Sequence, residues 1–481
     1  MSKLSLLLII IFLAGCAAGP EYRRPDTATP VEYRYAEGYE EIWQNGLPAD
    51  ELPKGEWWRI YHDPVLDELQ QRAADNNQEL RAALARMDQA RAQAGISEAE
   101  LMPRLDLQPS AQRSRNAEDL SPMGVSETTN TFRLPLDLNY ELDIRGRLRR
   151  LSEADEAEFE ASAAEVESFR LMLHSDVART YFSLLTLDRE IQLIEQTVAL
   201  RRENKRMVTS RFQHGLSDKL DLSRADTELA VAEAEVVMLR QQRSEVEHSL
   251  ALLLGEPASS FELPPTDADD LHVPTVDPGL PAELIQRRPD VAAAERQLMA
   301  ANARIGAAEA AFFPAIRLTG AAGYGSNELS NLLNSGNHFW NFGPQLSLPI
   351  FDGGRNRARL EQAKAAHEEA LARYQQTILQ AMQEVENALA ALAILTQQQE
   401  TQQRALRHAR ETVDLSHQRY RAGLVSYLEV IESERAAHTQ QRAVLQTRNQ
   451  QLQANIALIK ALGGGWDSDN LARPRRNMSR Q

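Results

Sequence analysis

The chain has 481 residues, a net charge of −16 and one cysteine. The negative balance excludes a nucleic-acid partner, and a lone cysteine excludes a disulfide framework and any cysteine-based metal cage. Ala, Gln, Glu, Leu and Arg dominate, which is the composition of long helices and coiled coils.

Lys3 precedes an apolar run from Leu4 to Leu13. The run is far shorter than the ~20 residues needed to span a bilayer, so residues 1–15 are expected to be a signal peptide rather than an anchor helix. Leu13-Ala14-Gly15-Cys16 resembles a bacterial lipobox. That resemblance implies cleavage before Cys16 and acylation there, palmitate included, and Ala17 in place of Asp implies sorting to the outer membrane. The competing reading is an ordinary signal peptide with an incidental cysteine. Residues 16–64, rich in Pro, Tyr and Trp, are expected to form a lipidated, extended, surface-wrapping segment.

From Pro64 to Leu101 the spacing of Leu66, Leu69, Leu80, Leu84 and Met87 predicts one helix, stopped by Pro103. A weak strand follows near Leu105 to Arg115, and then a polar loop, Asn116 to Asn130. Phe132, Leu134, Leu136, Leu138, Tyr140 and Leu142 alternate with polar residues, the period of a strand with one apolar face. No proline occurs from Leu148 to Gln213, and Leu184, Leu187, Ile191, Ile194 and Val198 form a coiled-coil seam. A helix of about 65 residues would be ~100 Å long. Gly215 ends it, and Lys219 to Leu254 reads as a returning helix.

Residues 256–281 carry six prolines and separate two similar halves. Arg211, Phe212, Gly215, Leu216, Leu220 and Asp221 align with Arg419, Tyr420, Gly423, Leu424, Leu428 and Glu429 at an offset of 208. The block Ala90 to Pro103 aligns with Ala301 to Pro314 at an offset of 211. Strand patterns recur at Ile316 to Tyr324 and at Trp340 to Ile350, and the seam recurs as Ile378, Met382, Val385, Leu389 and Leu392. The expected organisation is therefore a first repeat at 65–255, an equatorial connector at 256–281 and a second repeat at 282–463. A basic disordered tail completes it at 464–481. Each repeat reads helix, strand, strand, very long helix, turn, helix.

Four amphipathic strands of this length suit a tilted crossing of a hydrocarbon layer. Four cannot close on themselves, and an open edge in lipid leaves unpaired backbone groups costing several kcal/mol each. Two copies would supply eight strands and three would supply twelve. A soluble alternative packs the strands as hairpins on the helices.

The chain resembles TolC-like outer-membrane efflux channels of the lipoprotein subgroup, OprM-like and NodT-type. The residues that carry the resemblance are Gly19-Pro20-Glu21-Tyr22, Tyr140 to Arg147, Arg287-Arg288-Pro289-Asp290, Leu346 to Gly354 and the two glycine turns. It implies a mainly α fold with a membrane β-barrel portion and two repeats per chain. It also implies a homotrimer with a twelve-stranded β-barrel in the outer membrane, continued by a twelve-helix α-barrel. The implied partners are a periplasmic adaptor and an inner-membrane pump of RND type, for which the trimer is the exit duct.

By the same resemblance Glu429 and Glu432 would line a periplasmic gate as carboxylate rings, with Asp221 their counterpart in the first repeat and Tyr420 a gate tyrosine. Asp218 is a further nearby acid. Three-fold symmetry would bring like carboxylates together, favouring cations and helping the tip open. The plainer reading makes these acids N-terminal helix charges. Val425 stands where relatives can carry a bridging Arg, so that contact is not expected. Gly215, Leu216, Ser217, Gly423, Leu424 and Ser426 would form exposed tips for the adaptor, although capping alone would explain the glycines.

The ten histidines are scattered, with no His-Glu-x-x-His pair. Gly463-Gly464-Gly465 lacks the Lys-Ser/Thr of a phosphate loop. No catalytic residue, metal or cofactor is expected. Two alternatives remain at this stage: an exit duct for type I protein secretion, and a periplasmic coiled-coil scaffold lipoprotein that never enters the membrane.

Overall fold

The structure is a computed structural model that describes residues 17–26, 30, 33–35, 47–48, 55–120, 126–265, 272–277 and 287–465. The expected signal peptide, Cys16 and the tail beyond residue 465 lie outside the described residues. The chain divides into two compact units. One holds the described residues up to 26 together with 86–163 and 293–375. The other holds those of 27–85, 164–292 and 376–465.

The elements are α1 (Pro64–Asn76), α2 (Gln78–Ala99), β1 (Arg104–Leu107), β2 (Ser110–Arg115), β3 (Thr128–Leu142), α3 (Arg147–Gln213) and α4 (Lys219–Leu253). They continue as α5 (Pro289–Ala310), β4 (Ala315–Ser326), β5 (His338–Ser347), α6 (Arg355–Arg421) and α7 (Tyr427–Ala461). The helices α3 and α6 have 67 residues each, and α4 and α7 have 35 each. Both pairs start 208 residues apart (355 − 147 and 427 − 219), the offset read from the turns.

The first unit contains an antiparallel sheet. The short strands β1 and β2 both pair with β3, β3 pairs with β4, and β4 pairs with β5. The weak first strand is thus a strand interrupted at Gln108-Pro109, where Pro109 has no N–H to give the ladder. The register places Leu136, Ala322 and Trp340 in one row, then Leu138, Gly320 and Phe342, then Tyr140, Leu318 and Pro344, then Leu142, Ile316 and Leu346. Because side chains alternate between faces, these four rows share one face and carry no charge. The opposite face carries Asp137, Glu141, Arg317, Asn341 and Gln345. The apolar rows are open to solvent: Trp340 is 75% exposed and Leu346 66%. Strand β5 ends at Ser347, three residues short of the alternating pattern, because Pro349 interrupts the run to Ile350.

The segment after residue 16 is extended and tied to this unit. Ala18 N–H donates to the Arg145 carbonyl at 2.9 Å, Arg150 pairs with Glu21 at 2.6 Å, and Arg24 pairs with Glu295 at 3.0 Å. Gly19 has φ +91° and lies on Gly306, where a side chain on either residue would collide with the other strand of chain.

The second unit is helical. Ile194 and Val198 of α3 pack against Leu229, Ala232, Val236 and Leu239 of α4, which confirms the predicted seam as the inside of a hairpin. The single helix expected from Pro64 to Leu101 is instead two helices, broken at Asn77. Asn77 is extended (ψ 124°), its Oδ1 accepts from Leu80 N–H at 2.9 Å, and its Nδ2 donates to the Leu253 carbonyl at 2.9 Å. At the matching position of the second repeat Arg288 shares only the second of these bonds, its guanidinium donating to the Ala461 carbonyl at 2.9 Å. Periodicity cannot show this break, because Asn caps a new helix without disturbing the apolar spacing around it.

Candidate functional site

The two glycine turns, both in the second unit, have one backbone design. Gly215 (φ +73°) and Gly423 (φ +72°) hold the left-handed conformation after α3 and α6. Leu216 N–H donates to the Arg211 carbonyl at 2.8 Å, and Leu424 N–H donates to the Arg419 carbonyl at 2.9 Å. Gly215 and Gly423 N–H groups donate to Phe212 and Tyr420 at 3.0 Å each. This is a Schellman cap, which satisfies the last carbonyls of a helix and requires a left-handed residue. A side chain on either glycine would meet nothing within 4 Å, so backbone conformation alone selects glycine. Leu216 (68% exposed) and Leu424 (71%) stand out from the tips.

The acids past each turn sit differently. Asp218 caps α4 by accepting from Asp221 N–H at 2.8 Å, and Asp221 takes Ser217 Oγ at 3.1 Å and Arg224 at 3.6 Å. Ser426 makes no side-chain cap to α7. Glu429 pairs with Arg419 across the turn at 3.1 Å, and Glu432 is exposed.

Beneath the turns the two hairpins meet. Val208 of α3, Ala225 of α4, Tyr420 of α6 and Tyr427, Val430 and Ile431 of α7 form one apolar cluster. Val425, where no bridging Arg was expected, packs against it. The Tyr420 ring lies 5.5 Å from the Tyr427 ring and 5.0 Å from the Arg211 guanidinium. Tyr420 is therefore buried between hairpins, and its hydroxyl has no partner there. Burial pushes that hydroxyl above the usual tyrosine range, and the phenol stays protonated.

Next to this cluster lies a buried polar layer that sequence reasoning missed. The Glu228 carboxylate is held by Arg201 and Arg435. Glu434 accepts from Asn204 at 2.8 Å and contacts His417 at 2.9 Å, and Ser416 and Ser433 share a hydrogen bond of 2.7 Å. These contacts join α3, α4, α6 and α7. Its trace in the sequence is polar residues at core spacing: Glu228 falls between Ala225 and Ala232, and Glu434 between Ile431 and His438. His438 Nε2 is buried without a partner, and burial holds its imidazole below the usual range.

Among the described residues no group of His, Cys, Asp and Glu is arranged to hold a metal ion. The site is a pair of capped turns over an apolar cluster and a charged layer.

The outer membrane efflux protein family model matches residues 69–256 and 280–464, which covers both halves and both turns. The chain belongs to the outer membrane efflux protein family. It is 35% identical over 461 residues to the solvent efflux pump outer membrane protein SrpC of Pseudomonas putida, covering 96% of this chain and 97% of that one. It is 33% identical over 466 residues to the cation efflux system protein CusC of Escherichia coli, covering 96% and 99%. The open state of the MtrE outer membrane channel of Neisseria gonorrhoeae superposes with a TM-score of 0.81 at 30% identity, covering 94% and 99%. This efflux protein is thus an outer-membrane channel of an efflux system, and the scaffold and protein-secretion readings are not favoured.

Proposed function

We propose that three copies of this efflux protein close a twelve-stranded barrel in the outer membrane, with their helices forming a twelve-helix duct that exports small molecules. The observation that carries this reading is the sheet: four charge-free rows on one face, polar residues on the other, and open edges at β5 and at β1 and β2. Lipid tolerates such a face and does not tolerate such edges, so other copies must cover them.

In this reading the repeats at 65–255 and 282–463, joined through 256–281, supply equal shares of barrel and duct. Cys16 carries a lipid that adds a tether. The turn residues Leu216, Ser217, Leu424 and Ser426 meet a periplasmic adaptor, which joins the duct to an inner-membrane pump of RND type. Glu429 and Glu432, with Asp221 and Asp218, narrow the aperture as carboxylate rings that favour cations. Tyr420 acts from beneath, fixing the second hairpin against the first. SrpC and CusC are named for solvents and for cations at nearly equal identity, which agrees with a duct whose cargo is chosen elsewhere.

Single-channel recording in a planar bilayer tests this. A small, cation-selective current is expected, and Glu429→Ala with Glu432→Ala should change its size or selectivity. Equal currents would move the gate elsewhere, and a heat-resistant species of other than three copies would overturn the barrel count.

A further inference from the structure

Within the first unit a cleft of about 420 Å³ opens where the sheet gives way to α3 and α6. Five guanidinium groups line it, those of Arg145, Arg147, Arg317, Arg355 and Arg359, against the carboxylates of Glu141, Asp143 and Asp352. All three carboxylates are already engaged. Glu141 takes Arg147 at 2.8 Å and Arg317 at 3.3 Å. Asp143 accepts the N–H groups of Leu148 and Arg149 at 3.0 and 2.9 Å and pairs with Arg149. Asp352 accepts the N–H groups of Gly354 and Asn356 at 2.9 Å each, and these bonds hold its carboxyl below the usual range.

Arg145, Arg355 and Arg359 form no salt bridge among the described residues, although the charge of Arg355 helps to hold the Asp352 carboxyl down. Arg145 instead lies over the Phe313 ring at 4.2 Å, and that ring is 39% exposed. The cleft therefore offers three guanidinium groups outside any salt bridge among the described residues, beside an aromatic wall, in a chain whose net charge is −16. Guanidinium forks match the oxygen pairs of phosphate, sulfonate and carboxylate, and they gain most where neighbouring carboxylates cannot compete. Glu141 and Arg317 share a row with Gln345 on the polar face of the sheet. If that face lines the duct, the cleft faces the exported solutes, so its placement rests on the barrel reading above.

We infer that this cleft binds the anionic head of an aromatic solute in transit, with Arg145, Arg355 and Arg359 as its ligands and Phe313 as the wall for the ring. The site would give the duct a basic station at the sheet, opposite in sign to the acids at the turns.

The test is calorimetric titration of phenyl phosphate into the full-length protein in phosphatidylcholine nanodiscs, with planar-bilayer conductance measured in parallel. Saturable binding is expected, weaker for inorganic phosphate. The triple variant R145Q/R355Q/R359Q should lose affinity on the order of tenfold or more with its helical circular dichroism unchanged. Arg359→Glu alone, at an exposed position on α6, should weaken binding in the same direction and guards against a triple variant that fails to fold. Undiminished binding in these variants, or no binding by a wild type that conducts normally, would overturn the site. Equal affinity for inorganic phosphate would overturn the aromatic part of the assignment. Loss of phenyl phosphate binding when phosphatidylglycerol is added to the disc would overturn transit by assigning the cleft to lipid. Binding without conductance would support the site and overturn the barrel reading instead.

Discussion

Position by position, the turn at Gly215 and the turn at Gly423 repeat one backbone, down to hydrogen bonds that agree within 0.1 Å. Their side chains part company. Tyr420 and Tyr427 stack in the buried cluster, whereas their counterparts Phe212 and Lys219 lie exposed with the ammonium 6.0 Å from the ring. In the first turn of α7, Tyr427, Val430 and Ile431 are buried, where α4 carries Lys219, Leu222 and Ser223. The caps reverse the pattern, since Asp218 caps α4 and Ser426 leaves α7 without a side-chain cap. The first hairpin secures its helix start locally, and the second secures its own by burial against its neighbour. Duplication copied the backbone, and the substitutions then gave one hairpin an inward task.

The comparison breaks most visibly at the layer both hairpins share. Glu228→Ala leaves Arg201 buried without its carboxylate and should cost about 3–5 kcal/mol. Hydrogen exchange should then rise in both α4 and α7, and protection lost in α4 alone would show that the layer does not couple them. Next in size, Tyr427→Ala should cost about 3 kcal/mol and Lys219→Ala less than about 0.5 kcal/mol. Denaturant titration of each variant measures this, and equal losses would erase the asymmetry. Asp218→Ala should cost about 1 kcal/mol through its lost cap, and Ser426→Ala close to nothing. Helix-start exchange rates in α4 and α7 distinguish them.

The smallest effect is expected from acid. Burial favours the neutral imidazole of His438 in the native state, with Arg442 and Arg201 acting in the same direction and Glu235 against it. The unfolded chain then binds the extra proton more readily, so this contribution is present above the usual histidine range near pH 6.5 and is lost as pH falls through it. The first repeat has Ala230 at the matching position. Exchange between pH 7 and pH 5 should therefore increase in α7 more than in α4, and His438→Gln should remove the difference.

Much of this was legible from sequence because periodicity reports burial within one element. The strand at Phe132 to Leu142, the seam at Leu184 to Val198 and both glycine caps follow from spacing and from the demand for positive φ. Spacing does not report what one helix does to another. It could not show that Tyr420 would be buried while Phe212 is exposed, because that depends on α7 lying against α3. The charged layer was hidden for the same reason, since Glu228 and Arg435 are 207 residues apart and neither looks unusual locally. Asn77 escaped because a cap and a mid-helix Asn look alike in a run of alanines and leucines.

The pairing of β3 with β4 joins Phe132 to Ser326 and Leu142 to Ile316, across more than 170 residues of intervening chain. It is the central seam of the sheet, and a ribosome cannot deliver its second half until both long helices of the first repeat have been made. Contacts of such separation form late and slowly, because loop closure must be accomplished before any bond rewards it. Until then the first repeat has only β3 with β1 and β2, a ribbon with an apolar face and an unpaired edge. Such a species is prone to aggregation, so an unfolded precursor must be kept from self-association after translocation until its C-terminal half arrives. A chain truncated between α5 and β4 should accordingly precipitate rather than persist as half a channel.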